Sequence, residues 1–171
     1  MKYKLIVSDI DGVWTDGSFY YSADGDVIRK FSTQDSYGVK LCQLVNLPIM
    51  VISTEENAMV EKRMEKLQVK FVKLGIRNKL RSLTRFCDSH NINLKEVAFL
   101  GDDMNDFHLM GEVGFFGCPC DAYPKIRDKA DLVLKKAGGQ GAFREFVEHL
   151  LNQENLLDSA YEKYIAECLE K

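Results

Sequence analysis

Asp9 and Asp11 stand two positions apart, with only Ile10 between them, directly after the apolar run "KLIV". Residues two apart in an extended chain face the same side, so two carboxylates there crowd one site unless something positive holds them. More acidic residues follow a second apolar run, "VAFL", which leads into Gly101, Asp102 and Asp103, with Asp106 shortly after. Ser53 and Thr54 follow the run "PIMVI", and Lys79 lies in "GIRNKL" at the start of a helical pattern. A carboxylate cluster without histidine or thiolate ligands favours a hard cation, and Mg2+, which keeps waters and binds phosphate oxygens, is the usual choice. With Mg2+ between them, Asp9 and Asp102 can both stay charged. An aspartate can also attack phosphorus and form an aspartyl-phosphate, which splits one hard hydrolysis into two easier steps. Asp11 beside it could protonate the leaving oxygen and then deprotonate water, while Ser53 and Lys79 hold the phosphate oxygens. The set suits phosphoryl transfer.

These residues need a frame that brings several strand ends together. The runs "KLIV", "IMVI", "VAFL", "VGFF" and "DLVL" read as short buried strands, and "NAMVEKRMEKL" and "KLRSLTRFCDSH" as helices between them. Strands alternating with helices predict an α/β fold of Rossmann-like, three-layer type with a mostly parallel central sheet. In such a sheet ligands sit beyond the carboxyl ends of the strands, which is where the candidate residues fall. One stretch breaks the alternation. "SFYYSADGDVIRKFS", at about residues 18–32, reads as a β-hairpin with Asp-Gly turn chemistry, placed to overhang Asp9. The tail, at about residues 153–171, reads as an amphipathic helix whose Leu156, Leu157, Tyr161 and Ile165 could face a core or a partner.

The 171 residues, 46% hydrophobic and 29% charged, predict one globular domain over 1–171. A net charge of -3 and no long basic run argue against a nucleic-acid partner. The first apolar run is too short for a signal or membrane segment, which predicts a cytoplasmic protein with no membrane partner. The 5 cysteines form no Cys-x-x-Cys pair and read as buried free thiols.

"DIDGVWTDG", Ser53 after a strand, Lys79 opening a helix and "GDDMND" together resemble the four motifs of the haloacid dehalogenase superfamily. The resemblance implies Asp9 as nucleophile, Asp11 as general acid and base, and Mg2+ held by the Asp9 side chain, the Asp11 backbone carbonyl and Asp102. Asp103 and Asp106 match the last motif and are set behind these as supporting residues. Members usually carry a cap domain, but the intervals between motifs hold only the hairpin and one helix, then one helix and one short strand. No cap is expected. "DGVWTDG", the hairpin and "AGGQGAFREF" resemble the capless sugar-acid phosphatases that act on 3-deoxy-D-manno-octulosonate 8-phosphate or on nonulosonate 9-phosphates. That branch implies a homotetramer in which hairpins and C-terminal segments reach neighbouring sites, with Arg144 as a candidate substrate contact. The octulosonate enzymes typically read Thr-Gly-Arg after the second strand, where this chain has Ser53, Thr54 and Glu55. Glu55 and Lys66 are similar to the nonulosonate branch, which makes them, with Thr54, candidate substrate contacts and favours a nine-carbon substrate. Eleven residues at roughly 100° each return to within about 20° of the same helix face, so both could line one wall of a pocket, about 16 Å apart along the axis.

Simpler roles compete for several of these residues. Asp16 and Asp35 equally suit turn forming or helix capping. For Arg144, Glu55 and Lys66 the competing role is a solvated helix face. Trp14 and Tyr37 read as packing residues, Lys62, Arg63 and Glu65 as an exposed face, and His108 as surface. A phospho-acceptor signalling domain also combines acidic residues, a hydroxyl and a lysine on a parallel sheet, but places its aspartate after the third strand and lacks a partner such as Asp11.

Overall fold

The computed structural model describes residues 1–169. Its central sheet has six strands: β1 (Leu5–Ser8), β4 (Ile49–Ile52), β5 (Phe71–Lys73), β6 (Val97–Leu100), β7 (Phe115–Cys118) and β8 (Leu132–Val133). Every pairing is parallel, in the order β5-β4-β1-β6-β7-β8. The chain builds outward from β1 through β4 to β5, then returns to the other side of β1 as β6. The order therefore reverses between β1 and β6, and a crevice opens at their carboxyl ends.

Alternation within each strand explains the three layers. Ile6, Ile49, Val51, Ala98 and Leu100 pack on one face, with residues of α1 (Gln34–Leu44), α2 (Ala58–Lys66), α5 (Ala142–Gln153) and α6 (Leu157–Leu169). Leu5, Val7, Met50, Ile52, Val97 and Phe99 turn to the other, with α3 (Lys79–His90) and the short α4 (Pro124–Arg127). Strands buried on both faces read as continuous apolar runs rather than as alternating ones. "VGFF" is shifted: β7 starts at Phe115, because Gly114 is turned back to donate its N–H to the carbonyls of Leu94 and Val97.

β2 (Tyr20–Ser22) and β3 (Gly25–Ile28) form the hairpin, antiparallel and separate from the main sheet. Its turn is centred on Ala23 and Asp24, one position earlier than the Asp-Gly pair, and Gly25 pairs with Ser22 at φ +114. Between β1 and β4 lie only this hairpin and α1, and between β4 and Lys79 only α2 and β5. Among the described residues no cap domain stands over the crevice.

Leu156, Leu157 and Tyr161 of the tail pack against the core, but Ile165 is exposed. The tail's last two positions, 170 and 171, lie outside the described residues. Three of the cysteines (Cys42, Cys87, Cys118) are buried, whereas Cys120 is half-buried and Cys168 exposed, so burial does not hold for all of them. Arg63 is not on an open face either: it is half-buried, donating to the Ser32 carbonyl at 3.3 Å and the Ser36 hydroxyl at 2.8 Å. Lys62, Glu65 and His108 are exposed. No described helix is long and apolar enough to cross a membrane.

Trp14 packs as its type suggests. It is buried, its ring stacks on Phe143 at 4.3 Å between centroids, and its indole N–H donates to the Ser8 hydroxyl at 3.0 Å. Tyr37 is partly exposed, edge-on to Tyr164 of α6. Phe143→Ala should lower the unfolding free energy by about 3–5 kcal/mol, because it empties a fully buried site and removes the ring beneath Trp14. Urea denaturation measures this, and a loss below about 1 kcal/mol would show that the joint between α5 and the loop after β1 is not part of the core.

Candidate active site

Asp9 is the first residue past β1, and its backbone N–H donates to the Leu100 carbonyl at 2.9 Å, which fixes it against the end of β6. One carboxylate oxygen accepts the Ile10 N–H at 2.7 Å and the other meets the Lys79 ammonium at 2.7 Å. Lys79 opens α3, whose N-terminus is capped by Asn78 accepting the Arg81 N–H. Its side chain is 1% exposed and spans Asp9 and Asp106, the latter at 2.6 Å. Burial works against the charge on Lys79, but Asp106 and Asp9 outweigh it and hold its pKa above the ordinary lysine value.

Asp102 completes the cluster. Oxygens of Asp9, Asp102 and Asp106 lie within 4.8 Å of one another. Burial, then the charge of Asp9, then that of Asp106, push Asp102 up to about 8. Burial followed by Asp9 pushes Asp106 up to about 8 as well, against the pull of Lys79. The Asp102 Oδ1 atom is buried and has no protein hydrogen-bond partner among the described residues. Gly12 makes room for this carboxylate: it sits at φ +80, and a Cβ there would fall 1.9 Å from Asp102 Oδ2. Crowded oxygens, one of them without a protein partner, fit a hard divalent cation such as Mg2+.

Asp106 thus stands inside the cluster rather than behind it. The chain turns back after Asp102, with the Asp106 N–H donating to the Asp103 carbonyl at 2.9 Å and the Asp102 N–H to the Asp106 carboxylate at 3.2 Å. Asp103 faces solvent, where its carboxylate accepts the Met104 N–H.

Asp11 has a different cation as its partner. Its Oδ1 is in contact with Arg29 Nη1 and accepts from the Thr15 hydroxyl at 3.4 Å. Burial pushes its pKa up to about 6, with Arg29 opposing and Asp9 and Glu55 adding to the rise. Ser53 is buried past the end of β4, its hydroxyl accepting the Glu55 N–H at 3.1 Å. Asn105 links Thr54 to the cluster, its amide 3.4 Å from the Thr54 hydroxyl and 3.5 Å from Asp9 Oδ2.

Glu55 lies in the loop before the Asn57 cap of α2, so it shares no helix face with Lys66, which is exposed in the last helical turn. The helical reckoning fails because Asn57, with extended backbone, ends the loop two residues after Glu55. Arg144 points its guanidinium at Glu148 (2.6 Å) and the Tyr161 hydroxyl (3.5 Å), with no polar contact to the cluster. Asp35 is buried and accepts the Arg144 N–H at 3.1 Å, tying α1 to the start of α5, whereas Asp16 forms a turn by accepting the Ser18 N–H. Sequence reasoning missed Arg29 and Asn105. Asn105 stood within "GDDMND", but Arg29, the first residue after the hairpin's returning strand, gave no periodic signal of a partner eighteen positions away.

The model of the haloacid dehalogenase-like hydrolases matches residues 50–145, more than half of the chain. The chain belongs to that family. It is 32% identical over 157 residues to the 3-deoxy-D-manno-octulosonate 8-phosphate phosphatase of Salmonella typhi, covering 92% of this chain and 84% of that one. A probable YrbI family phosphatase from Pseudomonas syringae has a similar structure, with TM-score 0.92 at 33% identity over 96% of this chain and 93% of the other. The 3-deoxy-D-manno-octulosonate 8-phosphate phosphatase of Moraxella catarrhalis, solved with magnesium, phosphate and KDO, gives 0.90 at 28% identity over 95% and 94%. With this family and this site, the chain is a phosphatase acting on phosphate monoesters.

The raised carboxylates have a consequence for stability. Asp102, Asp106 and Asp11 bind protons more tightly when folded than when unfolded, so without metal, stability is highest in mild acid and falls as pH rises from about 4 to about 8. Asp16 and Glu96, whose values are lowered, act in the opposite direction only in the ordinary carboxylate range and below. Mg2+ competes with those protons, so it should raise the Tm more at pH 8 than at pH 6. Thermal unfolding in chelator and in Mg2+ across this range checks it; an Mg2+ effect that is equal at both pH values would contradict the cluster as the binding site.

Proposed function

We propose that the chain is an Mg2+-dependent sugar-acid phosphate phosphatase that works through an aspartyl-phosphate on Asp9. The observation that carries this reading is the buried Lys79 ammonium shared between Asp9 and Asp106, beside Asp102, at the reversal point of the sheet. Asp9 and Asp102 would hold Mg2+, with the Asp11 backbone carbonyl as the family resemblance implies. When bound, the ion offsets the charge of these carboxylates and of the phosphoryl oxygens. Asp9 Oδ2, kept in place by Lys79 and Asn105, is the attacking atom. Lys79 and the Ser53 hydroxyl hold phosphoryl oxygens, and Thr54 lines the same end of β4. Asp11 gives a proton to the leaving alcohol oxygen, then takes one from the water that opens the aspartyl-phosphate. Burial keeps a fraction of Asp11 protonated near neutrality, which suits the first of these roles.

The proposed substrate is 3-deoxy-D-manno-octulosonate 8-phosphate, supported by relatives of that name that align with nine-tenths of the chain. A second reading, a nonulosonate 9-phosphate, rests on Glu55, which stands near enough to Asp11 to raise its pKa and has the acidic character of the nine-carbon branch. A carboxylate at that wall can accept from sugar hydroxyls and is left unpaired by the wrong substrate. Lys66, exposed at the far end of α2, would contribute only from another subunit.

Homotetramer formation is part of this proposal. Tyr20, Tyr21, Val27 and Ile28 of the hairpin are between 52% and 69% exposed, an apolar surface that a second copy would cover. Arg144 could reach a neighbouring site only by exchanging Glu148 for a substrate group. A cytoplasmic location, which suits free thiols, is part of the same proposal.

Asp9→Asn should abolish Mg2+-dependent phosphate release while the fold survives; substantial residual turnover would remove Asp9 as nucleophile. Wild-type kcat/KM should be higher for the octulosonate ester than for the nonulosonate ester, and the reverse order would establish the second reading. Light scattering should show a tetramer, and a fully active monomer would contradict the assembly.

A further inference from the structure

We infer that Arg29, carried by the hairpin, is a positioning residue that locks the carboxyl group of Asp11 so that one chosen oxygen meets the leaving group. The inference rests on the reading of Asp11 as general acid and base. Arg29 is the largest polar group of the hairpin to be buried, with its side chain 1% exposed. Its planar fork is divided between two carboxylates. Nε and Nη2 donate to Asp26 Oδ2 at 3.1 and 2.9 Å, and Nη1 is left for Asp11 Oδ1.

Each partner is itself held. Asn57 donates to Asp26 at 2.8 Å while its own side-chain oxygen caps α2 by accepting the Met59 N–H. The guanidinium lies over the Phe19 ring, 4.2 Å from its centroid. The hairpin's returning strand, its entering arm and the start of α2 therefore fix one guanidinium in one pose. A lysine could not reproduce it, because a single ammonium does not present the second donor in a fixed direction.

The two oxygens of Asp11 are then inequivalent. Oδ1 receives Arg29 and the Thr15 hydroxyl, whereas Oδ2 is buried with no protein hydrogen-bond partner among the described residues. A carboxyl whose one oxygen is saturated by donors must carry its transferable proton on the other. Held at Oδ1, the group cannot rotate, and Oδ2 is the oxygen left to serve the leaving group. A purely structural guanidinium would need only Asp26; the N–H given to Asp11 marks the difference.

Leaving-group dependence tests this. The alkoxide leaving from a sugar phosphate needs a proton as it departs, whereas 4-nitrophenolate leaves as a stabilised anion, and kcat/KM reports the steps up to that departure. Arg29→Gln should lower kcat/KM for 3-deoxy-D-manno-octulosonate 8-phosphate by on the order of a hundredfold, at least about tenfold more than it lowers kcat/KM for 4-nitrophenyl phosphate. The loss should lie in kcat rather than KM, and Arg29→Lys should recover only part of it. Thermal unfolding of each variant accompanies the kinetics. Equal losses on the two esters, or no loss on either, would overturn the inference. Asp11→Asn, measured beside it, separates the two levels. If Asp11→Asn shows the leaving-group signature and Arg29→Gln does not, Arg29 is no positioning residue and the reading of Asp11 stands. If neither shows it, the acid-base reading fails and the inference falls with it.

Discussion

Lys79 brings a single positive charge into a pocket that holds three carboxylates, and the surrounding structure follows from that imbalance. Asp9 and Asp106 share the ammonium at 2.7 and 2.6 Å, while Asp102 has no ion pair of its own among the described residues. Removing charges from water costs several kcal/mol each unless they are paired and hydrogen-bonded. The protein meets part of this demand with the Ile10 N–H on Asp9, the Asp102 N–H on Asp106 and the Asn105 amide. The remainder appears as carboxylates that hold their protons to about 8. Such a site would gain most from a divalent cation held by Asp9 and Asp102, with the Lys79 ammonium beside it to offset the charge of a phosphoryl group.

Only a particular frame can bring these groups so close. Asp9 and Asp102 come from neighbouring strands that run in the same direction on either side of the reversal in strand order, and Lys79 comes from a helix on one face of the sheet. Backbone must then come within contact distance of backbone. Gly12 leaves space for Asp102, and a Cβ at Gly138 would fall 2.1 Å from the Gly12 carbonyl, so the segment before α5 closes over the loop that carries Asp11. Trp14, stacked on Phe143, anchors that closure from below. The catalytic loop is thereby braced from the sheet, from α5 and, through Arg29, from the hairpin.

Much of this was legible because parallel strands buried on both faces leave unmistakable apolar runs, and the residues just beyond them must face one crevice. Asp9, Ser53 and Asp102 were singled out in that way, Lys79 by the helical pattern that it opens, and β4, β6 and α3 have the predicted bounds. What escaped depends on partners distant in sequence or on a single capping residue. Asp106 enters the cluster through a tight turn that its spacing alone does not specify. Glu55 was set on a helix because Asn57 was not recognised as the cap that starts α2. Arg29 contacts Asp11 only because the hairpin folds back over the crevice, and no local pattern encodes that return. Arg144, which the resemblance offers as a substrate contact, is held within this chain by Glu148 one helical turn away and Tyr161 of α6, a pairing that its spacing alone does not announce.

The proposed mechanism requires Asp9 to form a covalent bond to phosphorus. Rapid acid quench of the wild-type protein during turnover of labelled 3-deoxy-D-manno-octulosonate 8-phosphate, followed by peptide mapping, observes that bond directly. The account predicts a transient phosphoryl group on the peptide that contains Asp9, formed before phosphate appears and absent from Asp9→Asn. Phosphate release at full rate with no label on this peptide, or with label on another residue, would contradict it.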